Sequence, residues 1–200
     1  MKINLSILTL FFFGIMFAQQ PENKNTSAEF DLQDNMDAKA TAEAEAKDAA
    51  VKLVEDFFVA FHKKDTAALR QFAHPDIVMR SVAVDTAGGN TVTAESYTEF
   101  LKSMASIPKS TKFEERLHSI AVHASGELAS VLAPYSVYVN EELRHCGVDS
   151  FQLVKVGEDW KILYLADTRR TEGCEEFEAR ERAGGETKRV MDKAPDFDDN

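Results

Sequence analysis

This chain lacks most of what would commit it to a familiar chemistry. It has no basic surplus: 23 Lys and Arg stand against 34 Asp and Glu, a formal net charge of −11. Phosphate binding needs a basic face, so the balance argues against nucleic acid as a partner. Arg169-Arg170 and Lys188-Arg189 are isolated basic pairs and form no stripe. There is no apolar run of the roughly 20 residues that a spanning helix requires. No phosphate loop, HExxH motif or Ser-His-Asp order is visible, and no internal repeat. Cysteine is scarce. Cys146 and Cys174 sit in neither CxxC nor CxxH spacing, which disfavours a metal site built on thiolates. No cofactor is implied.

What is present begins with an address. Lys2 precedes an apolar run, Ile3–Phe17, followed by Ala18-Gln19-Gln20-Pro21. A short basic start, an apolar core and a small residue before polar sequence make a signal peptide over 1–18, and predict export to the periplasm or beyond with no stable membrane span after processing. Met16, at the third position before the cut, fits the usual pattern poorly, and an uncleaved N-terminal anchor is the alternative. Residues 19–45 are polar and poor in apolar side chains, so they read as a linker. The 174–200 segment shifts to charged sequence with paired glycines and reads as a disordered tail, with a short helix over Glu175–Ala183 as the alternative for its start. A domain over 46–173 remains, long enough for one sizeable core. In an exported protein the two cysteines are disulfide candidates, with two free thiols or an intermolecular bond as the alternative.

Inside the domain, Val51, Val54, Phe57, Phe58 and Phe61 recur at helical spacing, predicting a helix over Thr41–Lys64. Asp65 suits the N-cap of a short helix, Thr66–Phe72, which Pro75 ends. Ile77–Val82 reads as a strand, 85–90 as a loop, and Ala94–Ser106 as a third helix. The pattern then switches to period two: strands over Lys112–His123 and Leu128–Val139, then a hairpin over His145–Arg170 turning at Gly157-Glu158-Asp159. Pro134 implies an edge strand or a bulge, since proline cannot donate to a ladder. Helices first and four consecutive antiparallel strands after make an α+β domain with a curved sheet folded over helices.

Two stretches carry a resemblance. DFFVAFHKKDTAALRQFAHPDIVM resembles the opening of the nuclear transport factor 2-like superfamily, in its SnoaL-like and putative lumazine-binding branch. FQLVKVGEDWKILYLADTRR is similar to that superfamily's closing hairpin, and the likeness spans roughly Ala46–Arg170. It implies a cone: helices packed in a strongly curved antiparallel sheet with a pocket at the open end. The superfamily includes ketosteroid isomerase-like enzymes, which use a tyrosine on the first helix and an aspartate on the first strand. An ungapped alignment through Asp65 and Asp76 puts those roles at Phe57 and Ser81, and neither side chain can fill them.

Pairing across a Gly157–Asp159 turn sets the hairpin faces. One face takes Val156 with Trp160, Val154 with Ile162 and Gln152 with Tyr164; the other takes Leu153 with Leu163, Phe151 with Leu165 and Asp149 with Asp167. Both faces then look apolar near the turn, as if each were covered, one by a partner subunit. Asp149 opposite Asp167 could share a proton as a general acid/base pair, or be neutralised by Arg169, Arg144 or Arg80 as a structural cluster. His145 lies near the rim. His118 and His123 point to opposite strand faces and cannot ligate jointly, His74 suits a helix end, and at most one of Tyr135 and Tyr138 can line a cavity. Arg80, near the superfamily's usual base position, favours an anionic ligand. The pocket candidates are Arg80, His145, Asp149, Asp167 and Arg169. The expected role is binding of a small apolar or anionic ligand. The alternatives are a SnoaL-like lyase, isomerase or hydrolase using the carboxylates, or a protein-interaction scaffold, with a homodimer through the sheet as a further expectation.

Overall fold

The computed structural model describes residues 25–177, 179 and 188–190, with side chains at 34–177 and 179. The expected signal peptide lies outside these residues. The chain divides into a unit over Met1–Asp37, helical from residue 25, and a unit over Ala38–Asn200 that holds every feature discussed below.

Helix α1 spans Asn25–His62 and so begins well before the expected Thr41. Residues 34–40 on it are all exposed. They bury no apolar face, and the Ala-, Glu- and Lys-rich run over 38–47 supplies the helix propensity. Farther along, Val51, Val54, Phe57, Phe58 and Phe61 are all buried, as their spacing predicts. Helix α2 is Thr66–Phe72, and the Asp65 carboxylate accepts from the Ala67 and Ala68 N–H groups at its N-terminus. Strand β1 follows directly at Ala73–Val84, with an irregularity in its pairing between Ala73 and Val78 where Pro75 has no N–H to offer. Strand β2, Asn90–Glu95, takes residues expected in a loop and at a helix start. All six of its residues are exposed, so no burial pattern betrayed it. Helix α3 then starts at Tyr97 rather than Ala94, capped by Ser96, and runs to Ser106.

The other strands are β3 (Phe113–Leu117), β4 (Ser119–Ser125), β5 (Leu128–Val139), β6 (Glu142–Val156), β7 (Asp159–Arg169) and β8 (Lys188–Val190). The sheet order is β2-β1-β7-β6-β5-β4-β8, with β3 also pairing β5. It is mixed, because β1 joins β7 and β8 joins β4 in parallel. The expected single strand over Lys112–His123 is broken at His118: β3 pairs the second half of β5 and β4 the first half. Pro134 sits at that break. It lies inside the sheet rather than on an edge, opposite a one-residue bulge between β3 and β4, and its carbonyl accepts from the His118 N–H at 2.9 Å. The broken neighbour is what tolerates a residue with no donor.

The long hairpin differs from expectation in one consequential way. Val156 pairs with Asp159, so the turn has two residues, Gly157 and Glu158, with Gly157 at φ +63°. A bulge then falls between the Gln152–Tyr164 and Leu153–Ile162 pairs. Beyond it the register is the expected one, Asp149 opposite Asp167 and Cys146 opposite Arg170. Before it the register is offset by one, which moves Trp160 and Ile162 onto the face of Phe151 and Leu153. The two apolar faces read from sequence are therefore one. All four residues are buried in a common cluster with the α1 stripe, and the Phe151 ring meets Phe57 and Phe58 edge-on. Each large side chain buried this way contributes about 2 kcal/mol. On the opposite face Gln152 and Val156 are exposed.

The start of the tail is ordered, which corrects the expectation of a disordered segment over 174–200. Cys174 is bonded to Cys146, with Cα atoms 5.6 Å apart. Phe177 is buried beside the bond, stacked on the His118 ring and under the Arg170 guanidinium. The covalent tie and one aromatic among charges hold the start of the segment, and β8 pairs with β4 beyond it.

Candidate functional site

Between α1 and the open end of the sheet lies a cavity of about 340 Å3. Phe57, Phe58 and Phe61 from α1, Phe100 from α3 and Phe151 from β6 supply its apolar wall. The helical spacing of the first three aims them at one place, and strand alternation brings the other wall: Asp149 and Phe151 on β6, Leu165, Asp167 and Arg169 on β7. The five residues singled out from sequence, Arg80, His145, Asp149, Asp167 and Arg169, all line it, as do Phe57 and Ser81. Tyr135 lines it too, while Tyr138 packs under the Arg116 guanidinium at 4.1 Å.

The electrostatics are divided between two carboxylate groupings. Asp167 accepts from Arg169 Nε at 2.6 Å and from Ser81 Oγ at 3.3 Å, and shares the Tyr135 hydroxyl, at 3.2 Å, with the Thr168 carbonyl at 2.9 Å. It is an ion-paired, hydrogen-bonded anion. Asp149, 5% exposed, is instead hydrogen-bonded to the carboxyl of Glu115 on β3. Burial raises both groups, and their mutual repulsion adds to this for Asp149; Glu115 is pushed up to about 7. The expected proton-sharing pair was Asp149 with Asp167. Across the ladder they are indeed neighbours, but Arg169 satisfies Asp167, and the proton is shared between Asp149 and Glu115. Arg80 and Arg144 take no part: Arg80 Nη1 donates to the Met79 carbonyl at 2.6 Å, and Arg144 pairs with Glu142 at 2.9 Å.

Glu115 escaped the sequence reading, though a signal existed. It stands between Phe113 and Leu117 on the inward face of a period-two strand, an acid where the pattern calls for an apolar residue. The Glu115 backbone N–H donates to His62 Nε2 at 3.0 Å, which ties β3 to the end of α1 and holds the carboxyl in place. Burial is the largest influence on the other groups here as well. It lowers His145, helped by the nearby Arg169 cation, and pushes the Tyr135 phenol well up, helped by the surrounding carboxylates. Burial opposes the charge on Arg169, but its bond to Asp167 keeps it raised. The His145 and Tyr135 rings meet edge-on at 5.8 Å.

The remaining histidines lie elsewhere. His74 Nδ1 accepts from the Asp76 N–H, and His118 is hydrogen-bonded to Ser136 Oγ. Among the described residues no group of three or more His, Cys, Asp or Glu could hold a metal ion. Chemically, the site offers a carboxyl that donates beside a carboxylate that accepts, at the edge of an aromatic chamber. A proton can leave or arrive there near neutral pH.

A family model described as putative lumazine-binding matches residues 45–165. No curated protein matches the chain. Among solved structures, the chain is similar to a nuclear transport factor 2-like protein of unknown function from Pseudomonas putida KT2440, at 17% identity over 76% of this chain and 98% of that one, with a TM-score of 0.51. It is also similar to the beta subunit of a putative aromatic-ring-hydroxylating dioxygenase from Novosphingobium aromaticivorans DSM 12444, at 12% identity over 64% of this chain and 91% of that one, with a TM-score of 0.52. At such identities the likeness speaks to the fold, which is the α+β fold of the nuclear transport factor 2-like superfamily.

Proposed function

The chain belongs to the putative lumazine-binding family of that superfamily, and from this we propose that it binds a small, partly apolar molecule in the cavity between α1 and the sheet. One observation carries the reading: the Glu115–Asp149 pair borders an aromatic-walled chamber, while Arg169 serves Asp167 rather than either of them. A purely structural charge cluster would bury a cation against each acid. A half-protonated pair instead keeps its proton between the two carboxyls and leaves the other oxygens as acceptors at the chamber, which suits a flat ligand that offers ring N–H groups, as lumazine does. Native mass spectrometry of protein purified from its own host tests this. A small molecule bound one to one is expected, and it should be lost on Glu115→Gln with Asp149→Asn. A ligand-free spectrum, with no lumazine binding by fluorescence titration, would leave the interaction-scaffold reading in its place.

The second reading is acid/base catalysis of the lyase, isomerase or hydrolase kind, favoured by the Glu115 carboxyl held near 7. It requires that the co-purified compound be turned over, and that Asp149→Asn retain binding while losing turnover. We also propose export, supported by the Ile3–Phe17 run before Ala18 and by the Cys146–Cys174 bond, which persists in oxidising compartments. A homodimer through the outer sheet face is supported by Leu128, Leu132 and Val156, which lie exposed on that face of β5 and β6. Light scattering of wild type against Leu132→Glu tests the dimer.

A further inference from the structure

We propose that the ligand carries an anionic oxyacid group, a carboxylate or phosphate, which binds in a second cavity at the open end between Arg144 and Arg169. The inference rests on the binding reading above. The second cavity, about 320 Å3, is walled by Ala83 and Val84 from the end of β1, Arg144 and His145 from the start of β6, and Arg169 and Arg170 from the end of β7. His145 and Arg169 also line the aromatic chamber, so the two spaces meet across these side chains. One molecule can therefore lay its ring against Phe57 and Phe151 and pass its polar end beyond His145.

The charges fit that end. In a chain of net charge −11, three arginines converge here. Arg169 holds Asp167 through Nε, which leaves its two terminal amino groups for another anion, and its side chain is 53% exposed. Arg144 pairs with Glu142, an exposed surface contact that contributes little and can be exchanged for a better-placed anion. A carboxylate or phosphate between two guanidinium groups gains charge-assisted hydrogen bonds that water only partly matches. Arg170 adds field rather than contact, because its guanidinium is turned over the Phe177 ring and donates to the Gly173 carbonyl.

Calorimetric titration with 3-phenylpropanoate and 3-phenylpropanamide, which share a body and differ in charge, tests the assignment. Wild type should prefer the carboxylate by about tenfold. Arg144→Gln should erase that preference while leaving amide affinity unchanged, and Arg144→Lys should restore part of it. Inorganic phosphate should compete with the carboxylate and leave the amide alone; phosphate binding that fails to compete means an unrelated anion site and overturns the proposal. Equal affinities in wild type, or a preference that survives Arg144→Gln and Arg169→Gln, overturn it as well while the chamber reading stands. Binding of neither compound, with no co-purified ligand, overturns both.

Discussion

The two halves of the β6–β7 hairpin present the same inward face of the same two strands, yet they meet opposite surroundings. Near the turn, Leu153, Trp160 and Ile162 are buried in the core against α1. Toward the open end, the same rows carry Asp149, Asp167 and Arg169 around a cavity. Strand geometry makes no distinction between the halves. The contrast teaches that a sheet face takes its chemistry from what covers it: helix over one half selects apolar side chains, and open space over the other leaves room for charge.

The sharpest way to break the contrast is to move an acid across it. Leu153→Asp places an unpaired carboxylate where the exposure is 0%, and is expected to cost about 4 kcal/mol or more, read as loss of a cooperative thermal transition. Asp149→Asn, on the same strand and facing the chamber, keeps a hydrogen-bonding group beside Glu115 and should change stability by less than about 1 kcal/mol in the same melt. Equal costs would dissolve the distinction. Next in size is the clamp at the open end. Cys146→Ser removes a bond that closes a separation of 28 residues and should cost about 3 kcal/mol in chemical denaturation, with no loss of the apolar half's burial by tryptophan fluorescence of Trp160.

The two halves also separate by pH. Glu115, ordinarily near 4.5, is raised to about 7 in the fold, and Asp149 is raised with it. The folded protein thus keeps a proton that the unfolded chain releases, so stability falls as pH rises from about 4.5 to about 7, by at most about 1.4 kcal/mol per pH unit for each proton. His145 is lowered, so it acts in the opposite sense, adding stability as pH rises toward its ordinary 6.5. Urea denaturation across this range should show the fall in wild type and a shallower one in Glu115→Gln, where Asp149 alone remains raised. A variant with the wild-type slope would remove Glu115 from the proton-sharing pair.

Much of the domain was legible because local rules fix it. The α1 stripe, the Asp65 cap and the alternation of β5 and β6 depend on periodicity and capping, which nearest neighbours decide. The Asp149–Asp167 pairing was legible too, but through two departures that cancel. A shorter turn shifts the register by one residue and the bulge shifts it back. Between the two, the face assignment of Trp160 and Ile162 was inverted, and with it the inference that the hairpin is covered on both sides. Strand β2 was missed because an exposed edge strand carries no burial pattern, and the helical 34–40 segment because its residues are exposed too.

The site divides along the same line. Which residue types reach the inward face of the hairpin could be read along the chain, because side-chain alternation is a property of a single strand. That two cysteines near the hairpin's open end could meet was legible there too, since the ladder brings Cys146 opposite Arg170. Which carboxylates act together was decided by tertiary structure alone. Glu115 comes from a strand that β5 and His62 hold beside the hairpin, and Arg169 turns its Nε to Asp167 rather than to Asp149. Pairing energies fall steeply with distance and with solvent access, so the partner of a buried acid is set by three-dimensional neighbours that no spacing along the chain records.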